Sequence, residues 1–471
     1  MDRTDTFGEV FTPPILIQEL LEHLPKPVWS NPDVTWLDPC AGTGNFLECI
    51  LPRLMEGLST AFPQPAARKR HILTKMITMV ELNPANVRVL RNKYGKGTTI
   101  LAGDFLDNKV IDDTTAVYDI ILANPPYQTP KQESYEGSVG NRTLWDLFIK
   151  KAWTIGQRSK MKGGAVLGLI TPCNWRRPGH PLYQLLSNHL DYLHIYGKPA
   201  GMEHFHVQTR FDLYVVRPSA SSDSIMKGRS IPLLVDELGE KHVNEIVPSD
   251  WPFLPNYMYK TIQSIMVRDL DPEKGLPVIY DSAMYDARKL TKRPTHKHKY
   301  PVIHTLTTKG IGLRYADHTS NTQFGVSKVI LNVNEKQYPV LDMSGKYGLS
   351  QLSFAIPIHT KKEGERMIQC IESPVFQDIL RATKWGSFQT DYRMFRYFRP
   401  DFTKILCGKN GKSNKTMKTN IPTNSYVVFR NIIRDPTEQS SSGSFLNSNV
   451  SMYIRNNVTK KKRSKNNIVT L

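Results

Sequence analysis

Asn124-Pro125-Pro126-Tyr127 follows an apolar run at residues 118–123, and it places two hydrogen-bond acceptors at one point of the chain. The acceptors are the Asn124 side-chain oxygen and the Pro125 backbone carbonyl. Such a pair suits a reaction in which a conjugated amino group must act as a nucleophile. The lone pair of that nitrogen is delocalised, and accepting hydrogen bonds from both of its N–H bonds lets it pyramidalise as it attacks. Pro125 and Pro126 stiffen the turn, and Tyr127 offers a flat face for a planar substrate. A strand-ending Asn-Pro-Pro is also an ordinary tight turn, so the tetrapeptide takes its meaning from what surrounds it.

The surrounding elements form a series of strands, each closed by a residue able to hold a ligand. Residues 34–37 read as a strand, followed at its carboxyl end by a loop containing Asp38, Gly42 and Gly44. Gly42 and Gly44 permit a turn close to a ligand, and Asp38 can accept from a ligand amino group. Their spacing matches neither a nicotinamide-binding loop nor a phosphate-cradling one. A helix is expected over residues 46–58, kinked or restarted at Pro52. A second strand, residues 75–80, ends at Glu81, which can bind both hydroxyls of a ribose. A third, residues 99–102, leads to Asp104 and Phe105, an acid for an exocyclic amine and a ring to pack on an adenine. Singly, Glu81 reads as a solvated strand end and Asp104 as a turn cap. Thr12-Pro13-Pro14 reads as a helix start. Together they matter, because open parallel sheets bind ligands beyond the carboxyl ends of their strands.

With these residues in this order, the sequence resembles the S-adenosylmethionine-dependent amino-methyltransferases of DNA over residues 7–217. Asp38 to Phe46 matches that family's first cofactor motif, Glu81 the second and Asp104-Phe105 the third. Asn124 to Tyr127 matches the catalytic motif. Phe11-Thr12-Pro13-Pro14 resembles the segment that contacts the methionine part of the cofactor, and its leading position is that of the gamma group. The resemblance implies an α/β fold: a Rossmann-like, seven-stranded class I methyltransferase domain over residues 1–218, then a mixed α+β target-recognition domain over 219–438. It implies S-adenosyl-L-methionine as cofactor, held by Thr12, Pro13, Asp38, Gly42, Gly44, Glu81, Asp104 and Phe105. Catalysis would fall to Asn124, Pro125, Pro126 and Tyr127, acting on N6 of an adenine flipped out of duplex DNA. Tyr127 and Phe205 would stack on the target base, although His204, Phe205 and His206 equally form a packing cluster. The family's way of life implies a monomer, with a separate restriction endonuclease for the same site as a possible companion. Cytosine N4, RNA adenine and protein glutamine remain rival substrates, since each suits the same acceptor geometry.

The rest of the chain frames these expectations. A formal net charge of +19 over 471 residues suits a polyanionic partner. No apolar run reaches the length of a membrane span, and the polar amino terminus lacks a secretory signal's apolar core, which points to a cytoplasmic protein, nucleoid-associated in a bacterium or phage, or in the host cytoplasm or nucleus for a eukaryotic virus. Five cysteines without paired spacing argue for reduced thiols and against a zinc site. Transfer to nitrogen needs no metal, and Cys40 reads as small and buried. Strands are expected over 165–170, 191–196 and 211–216, with a helix over 143–153 whose aromatics face the core. Residues 128–142 form a polar connection. Basic and aromatic residues interleave over 292–300 and 385–399, suiting either phosphate and base contacts or a core with solvated arginines. From residue 439 the chain is of low complexity and ends in a basic cluster, a separate tail.

Overall fold

The computed structural model describes residues 11–408, except 96, 128–142, 219–227, 282–284, 287, 335 and 387–388. The polar connection, the start of the expected second domain and the basic tail therefore lie outside the described residues.

Short strands, most of them buried at nearly every position, build one sheet with a core on each face. Its strands are β1 (Trp36–Asp38), β2 (Ile77–Glu81), β3 (Thr99–Ala102), β4 (Ile120–Ala123), β5 (Val166–Pro172), β6 (Leu190–Tyr196), β7 (Phe211–Val216), β8 (Leu233–Val235) and β9 (Lys241–His242). They lie in the order β3-β2-β1-β4-β5-β7-β6-β8-β9. The strands from β3 to β5 are parallel, and β7 runs antiparallel between β5 and β6. Successive residues serve opposite faces: Leu37, Ile121 and Leu167 join one core, while Trp36, Ile120, Leu122 and Val166 join the other.

Helices cover both faces. The helix Pro14–Glu22 lies close on β5, and a Cβ at Gly168 would stand 2.6 Å from Leu122 and 3.0 Å from Leu20. The helix Asn45–Gly57 runs without a break through Pro52. Pro52 and Glu48, one turn before it, are both exposed, so the carbonyl that loses its intrahelical donor faces water. The helix Trp145–Gly156 buries Trp145, Phe148 and Trp153 as its spacing predicts. The strand expected from residue 75 begins only at Ile77, because residues 72–76 form a wide helical turn.

The expected seven strands are present, and the sheet continues past them. Strand β8 pairs parallel with β6, and β9 pairs antiparallel with β8, so residues beyond 218 extend the first sheet. Residues Met1–Gly411 cluster as one compact unit, and Lys412–Leu471 as another that lies outside the described residues. The carboxyl half adds two three-stranded sheets: β10 (Tyr300–Thr307), β11 (Gly310–Ala316) and β14 (Gly348–Leu349), and β12 (Lys328–Asn332), β13 (Val340–Asp342) and β15 (Ser353–Pro357). Helices Tyr259–Ile265, Lys361–Glu372, Pro374–Ala382 and Phe402–Cys407 pack with them.

One sequence expectation changes here, and one open alternative is decided. Cys370 and Cys407 form a disulfide, their Cα atoms 5.8 Å apart, whereas Cys40, Cys49 and Cys173 are free. Tertiary packing of two helices brings the pair together, and a sequence separation of 37 hides it from sequence spacing. In residues 385–399 the core alternative holds. Trp385, Phe395 and Phe398 are buried, while Arg393 and Arg399 pair with the nearby Asp391 and Asp401. Residues 292–300 instead run along the surface, with Lys292, Arg293, Lys297 and Lys299 exposed.

Candidate active site at the carboxyl rim of the sheet

Strands β1, β2 and β4 end side by side, and the parallel register sets their terminal residues along one rim. Asp38 ends β1 and is 6% exposed. Its Oδ1 accepts the Cys40 N–H at 3.2 Å, while Oδ2 is buried without a hydrogen-bond partner. Burial, together with the nearby Glu81 charge, pushes the Asp38 carboxyl up to about 7. Glu81 ends β2, and its two oxygens accept the Gly42 N–H at 2.7 Å and the Asn83 N–H at 2.6 Å. The loop after β1 is thus tied to the acid after β2.

The glycines of that loop differ in purpose. Gly42 has φ +55° and donates to Glu81. Gly44 has φ +91°, and a Cβ there would stand 2.9 Å from Leu90 and 3.0 Å from Tyr94. Gly44 therefore serves a left-handed turn and close packing on the helix Pro84–Tyr94.

Asn124 follows β4, and three contacts fix its place. Its Nδ2 donates to Thr12 Oγ1 at 3.1 Å, and its backbone carbonyl accepts from Cys40 Sγ at 3.4 Å. Asn45 Nδ2 donates to the Thr12 carbonyl at 3.0 Å. Thr12 is 5% exposed and lies before the helix, whose N-cap is Pro13, so it links the loop after β1 to the Asn-Pro-Pro turn. With the amide oriented this way, Asn124 Oδ1 is buried and has no hydrogen-bond partner. Leaving a buried acceptor unpaired costs about 1–3 kcal/mol, so two such oxygens along one rim mark a place prepared for donors. Cys40 is half-buried rather than fully buried, and burial pushes its thiol well up, which disfavours a thiolate nucleophile.

Pro125 is buried, and Pro126 and Tyr127 are half-buried. Tyr127 packs against the core that contains Trp145 and Tyr214. Burial, with Asp212 and Cys173 nearby, raises its hydroxyl above the ordinary phenol range. Asp104 is exposed and caps its own turn, its Oδ1 accepting the Leu106 N–H at 2.9 Å. Phe105 does not offer a face at the rim. It is 1% exposed, with Phe148 at 5.2 Å between ring centroids and the Lys151 ammonium 5.2 Å from its own.

Phe205 ends the helix Lys198–Phe205 and is half-buried. It meets Phe211 edge-on at 4.9 Å, beside Tyr196 and His204. Phe211 pairs with Pro172, which keeps this cluster at the same rim. Phe205 packs on the core of one face and Tyr127 on that of the other, so the fold brings them into separate clusters.

A buried constellation that spacing alone does not reveal lies beside the rim. Arg176 and Asp212 are fully buried and doubly bonded, Nε to Oδ2 at 2.8 Å and Nη2 to Oδ1 at 3.0 Å. Arg176 also donates to the carbonyls of Leu254 and Pro255 and to Asn256 Oδ1. Asn256 reaches on to the Lys384 carbonyl at 3.0 Å. The pair joins the end of the first sheet to the carboxyl half, and only tertiary structure unites its members.

The order of β1 to β7, with β7 antiparallel among them, and the acids at the carboxyl rim define the fold of the class I S-adenosylmethionine-dependent methyltransferases. Residues 2–143 match the family model described as N-6 DNA Methylase. Over 90 residues the chain is 46% identical to an uncharacterized adenine-specific methylase of Mycoplasma pneumoniae. That stretch covers 18% of this chain and 21% of that protein, so the chain spans about a fifth of this curated relative. Among solved structures, the Type IIL restriction-modification enzyme MmeI in complex with DNA is 12% identical, with a TM-score of 0.49, covering 84% of this chain and 69% of MmeI. A modification subunit of a type I restriction enzyme from Vibrio vulnificus YJ016 is 17% identical, with a TM-score of 0.35, covering 48% of this chain and 46% of that subunit.

Proposed function

We propose that the protein is a site-specific DNA methyltransferase that methylates N6 of adenine in duplex DNA. The observation that carries this reading is the buried, unpaired Asn124 Oδ1, held at the rim that also carries Asp38 and Glu81. S-adenosyl-L-methionine fits the donor set: Asp38 Oδ2 awaits a cationic amino group, and Glu81 lies where ribose hydroxyls are expected. When bound, the cofactor supplies an electrophilic methyl group. The protein's part is to position and to accept hydrogen bonds. Asn124 Oδ1 and the Pro125 carbonyl would take the two N–H bonds of the target amine, while Thr12 keeps the amide from turning.

The target base must leave the helical stack to reach these acceptors. Tyr127 is the aromatic beside it, and Phe205 is retained as a second stacking residue at the rim. The exposed basic residues of 292–299 support contact with phosphates, in keeping with a recognition role for residues 219–438. A monomer acting in the cytoplasm or at the nucleoid, with a separate cognate nuclease, completes the proposal.

The deciding experiment incubates the full chain with methyl-labelled cofactor and duplex DNA, then digests the DNA to nucleosides for mass spectrometry. Labelled N6-methyladenine is expected. Labelled N4-methylcytosine would transfer the same geometry to the second amino base. Transfer to RNA or protein but not to DNA would overturn the proposal.

A further inference from the structure

The sheet edge farthest from β3 carries a cluster that methyl transfer does not use. Strand β8 leads into Asp236, and a tight turn through Gly239, with φ +82°, returns the chain to β9. Asp236 Oδ1 accepts the N–H groups of Leu238 at 2.8 Å and Glu240 at 2.9 Å, which fixes its carboxylate and points Oδ2 across the hairpin. His242 on β9 faces it: His242 Nε2 lies 3.5 Å from Asp236 Oδ2. That contact is a long ion pair, Asp236 holds the imidazole above its usual range, and Nε2 is buried without a well-formed hydrogen bond. Asp236 is 1% exposed and His242 6%. The exposed Glu240 completes the group, with one ligand atom from each of the three residues within 4.8 Å of the others.

We propose that Asp236, Glu240 and His242 bind a divalent transition-metal cation, for which Zn2+ is the best match. Three observations point this way. Tetrahedral bonds of about 2.0–2.1 Å put neighbouring ligand atoms about 3.4 Å apart, close to the separation of Nε2 and Oδ2. An imidazole nitrogen with two carboxylate oxygens favours a borderline cation over Mg2+ or Ca2+. The other ring nitrogen, Nδ1, lies 3.5 Å from Glu245, and the ring sits edge-on against Tyr259 at 4.9 Å. A ring held in place beside a carboxylate in ion-pair range is the setting a metal-binding histidine uses. The cation would clasp the two strands of the hairpin at the open edge of the sheet, with solvent on the Glu240 side. The sequence pointed away from zinc because its cysteines are scattered. The cluster here uses no cysteine.

The test uses the full chain, stripped with EDTA and titrated separately with ZnCl2, MnCl2 and MgCl2 by calorimetry. Zn2+ should bind, and MgCl2 should give no comparable heat. His242→Ala should weaken Zn2+ binding about tenfold or more, and the Zn2+-dependent rise in melting temperature should vanish with it. Should that buried substitution disturb folding, Glu240→Ala decides, since an exposed carboxylate can be removed without cost to the core. It should lower Zn2+ affinity while leaving the metal-free melting temperature unchanged. Absence of Zn2+ binding, or unaltered affinity in Glu240→Ala together with any folded His242→Ala, overturns the proposal.

Discussion

Asp38 and Asp212 are buried carboxylates on the same sheet, and the fold treats them in opposite ways. Both oxygens of Asp212 are taken by Arg176, and that guanidinium spends its other donors on the carboxyl half. Asp38 has one backbone N–H, a second acid nearby and an oxygen with no partner. The first arrangement is a finished structural joint. The second stays incomplete until a cationic ligand arrives, and an unfinished polar group at a strand end is what a binding site leaves visible.

The largest expected effect breaks the finished joint. Arg176→Ala would leave Asp212 buried without its partner and should cost about 3–5 kcal/mol in chemical denaturation. A loss below about 1 kcal/mol would deny the pair its structural role. Next comes the acceptor. Asn124→Ala should lower the rate of methyl transfer about 10²- to 10³-fold while calorimetry finds cofactor affinity unchanged. Near-normal turnover would remove Asn124 from the chemistry.

Asp38→Asn sharpens the contrast, because its two effects have opposite signs. Cofactor affinity should fall about tenfold or more, since a charged acceptor is lost. The ligand-free protein should become more heat-stable above neutral pH. A carboxyl held at about 7 favours its neutral form when folded, so its contribution is present at low pH and is lost as pH rises towards 7. The asparagine has no such loss, and melting curves at pH 5 and pH 8 should converge more closely than in the parent chain. The smallest effect separates packing from binding. Phe105→Leu should cost about 1–2 kcal/mol of stability and leave cofactor affinity within about twofold, because the buried ring faces Phe148 rather than the rim. A large drop in affinity would restore Phe105 to the adenine site.

The sequence alone determined much of this molecule, because the signals involved are local. Strand β3 occupies the expected residues, and Asp38, Glu81 and Asn124 stand where an apolar run meets a polar turn. Such switches are written in consecutive residues, and a parallel sheet turns them into neighbours at one rim. Thr12 could be linked to the cofactor by resemblance, but its hold on the Asn124 amide spans 112 positions and appears only in the fold. The same limit applies to the packing of Phe105 on Phe148 and to the Cys370–Cys407 pair. Extension of the sheet through β8 and β9, the Arg176–Asp212 joint and the Asp236–His242 cluster were likewise decided by tertiary structure. These depend on which distant side chains meet once the chain is compact, and neither propensity nor periodicity encodes that meeting.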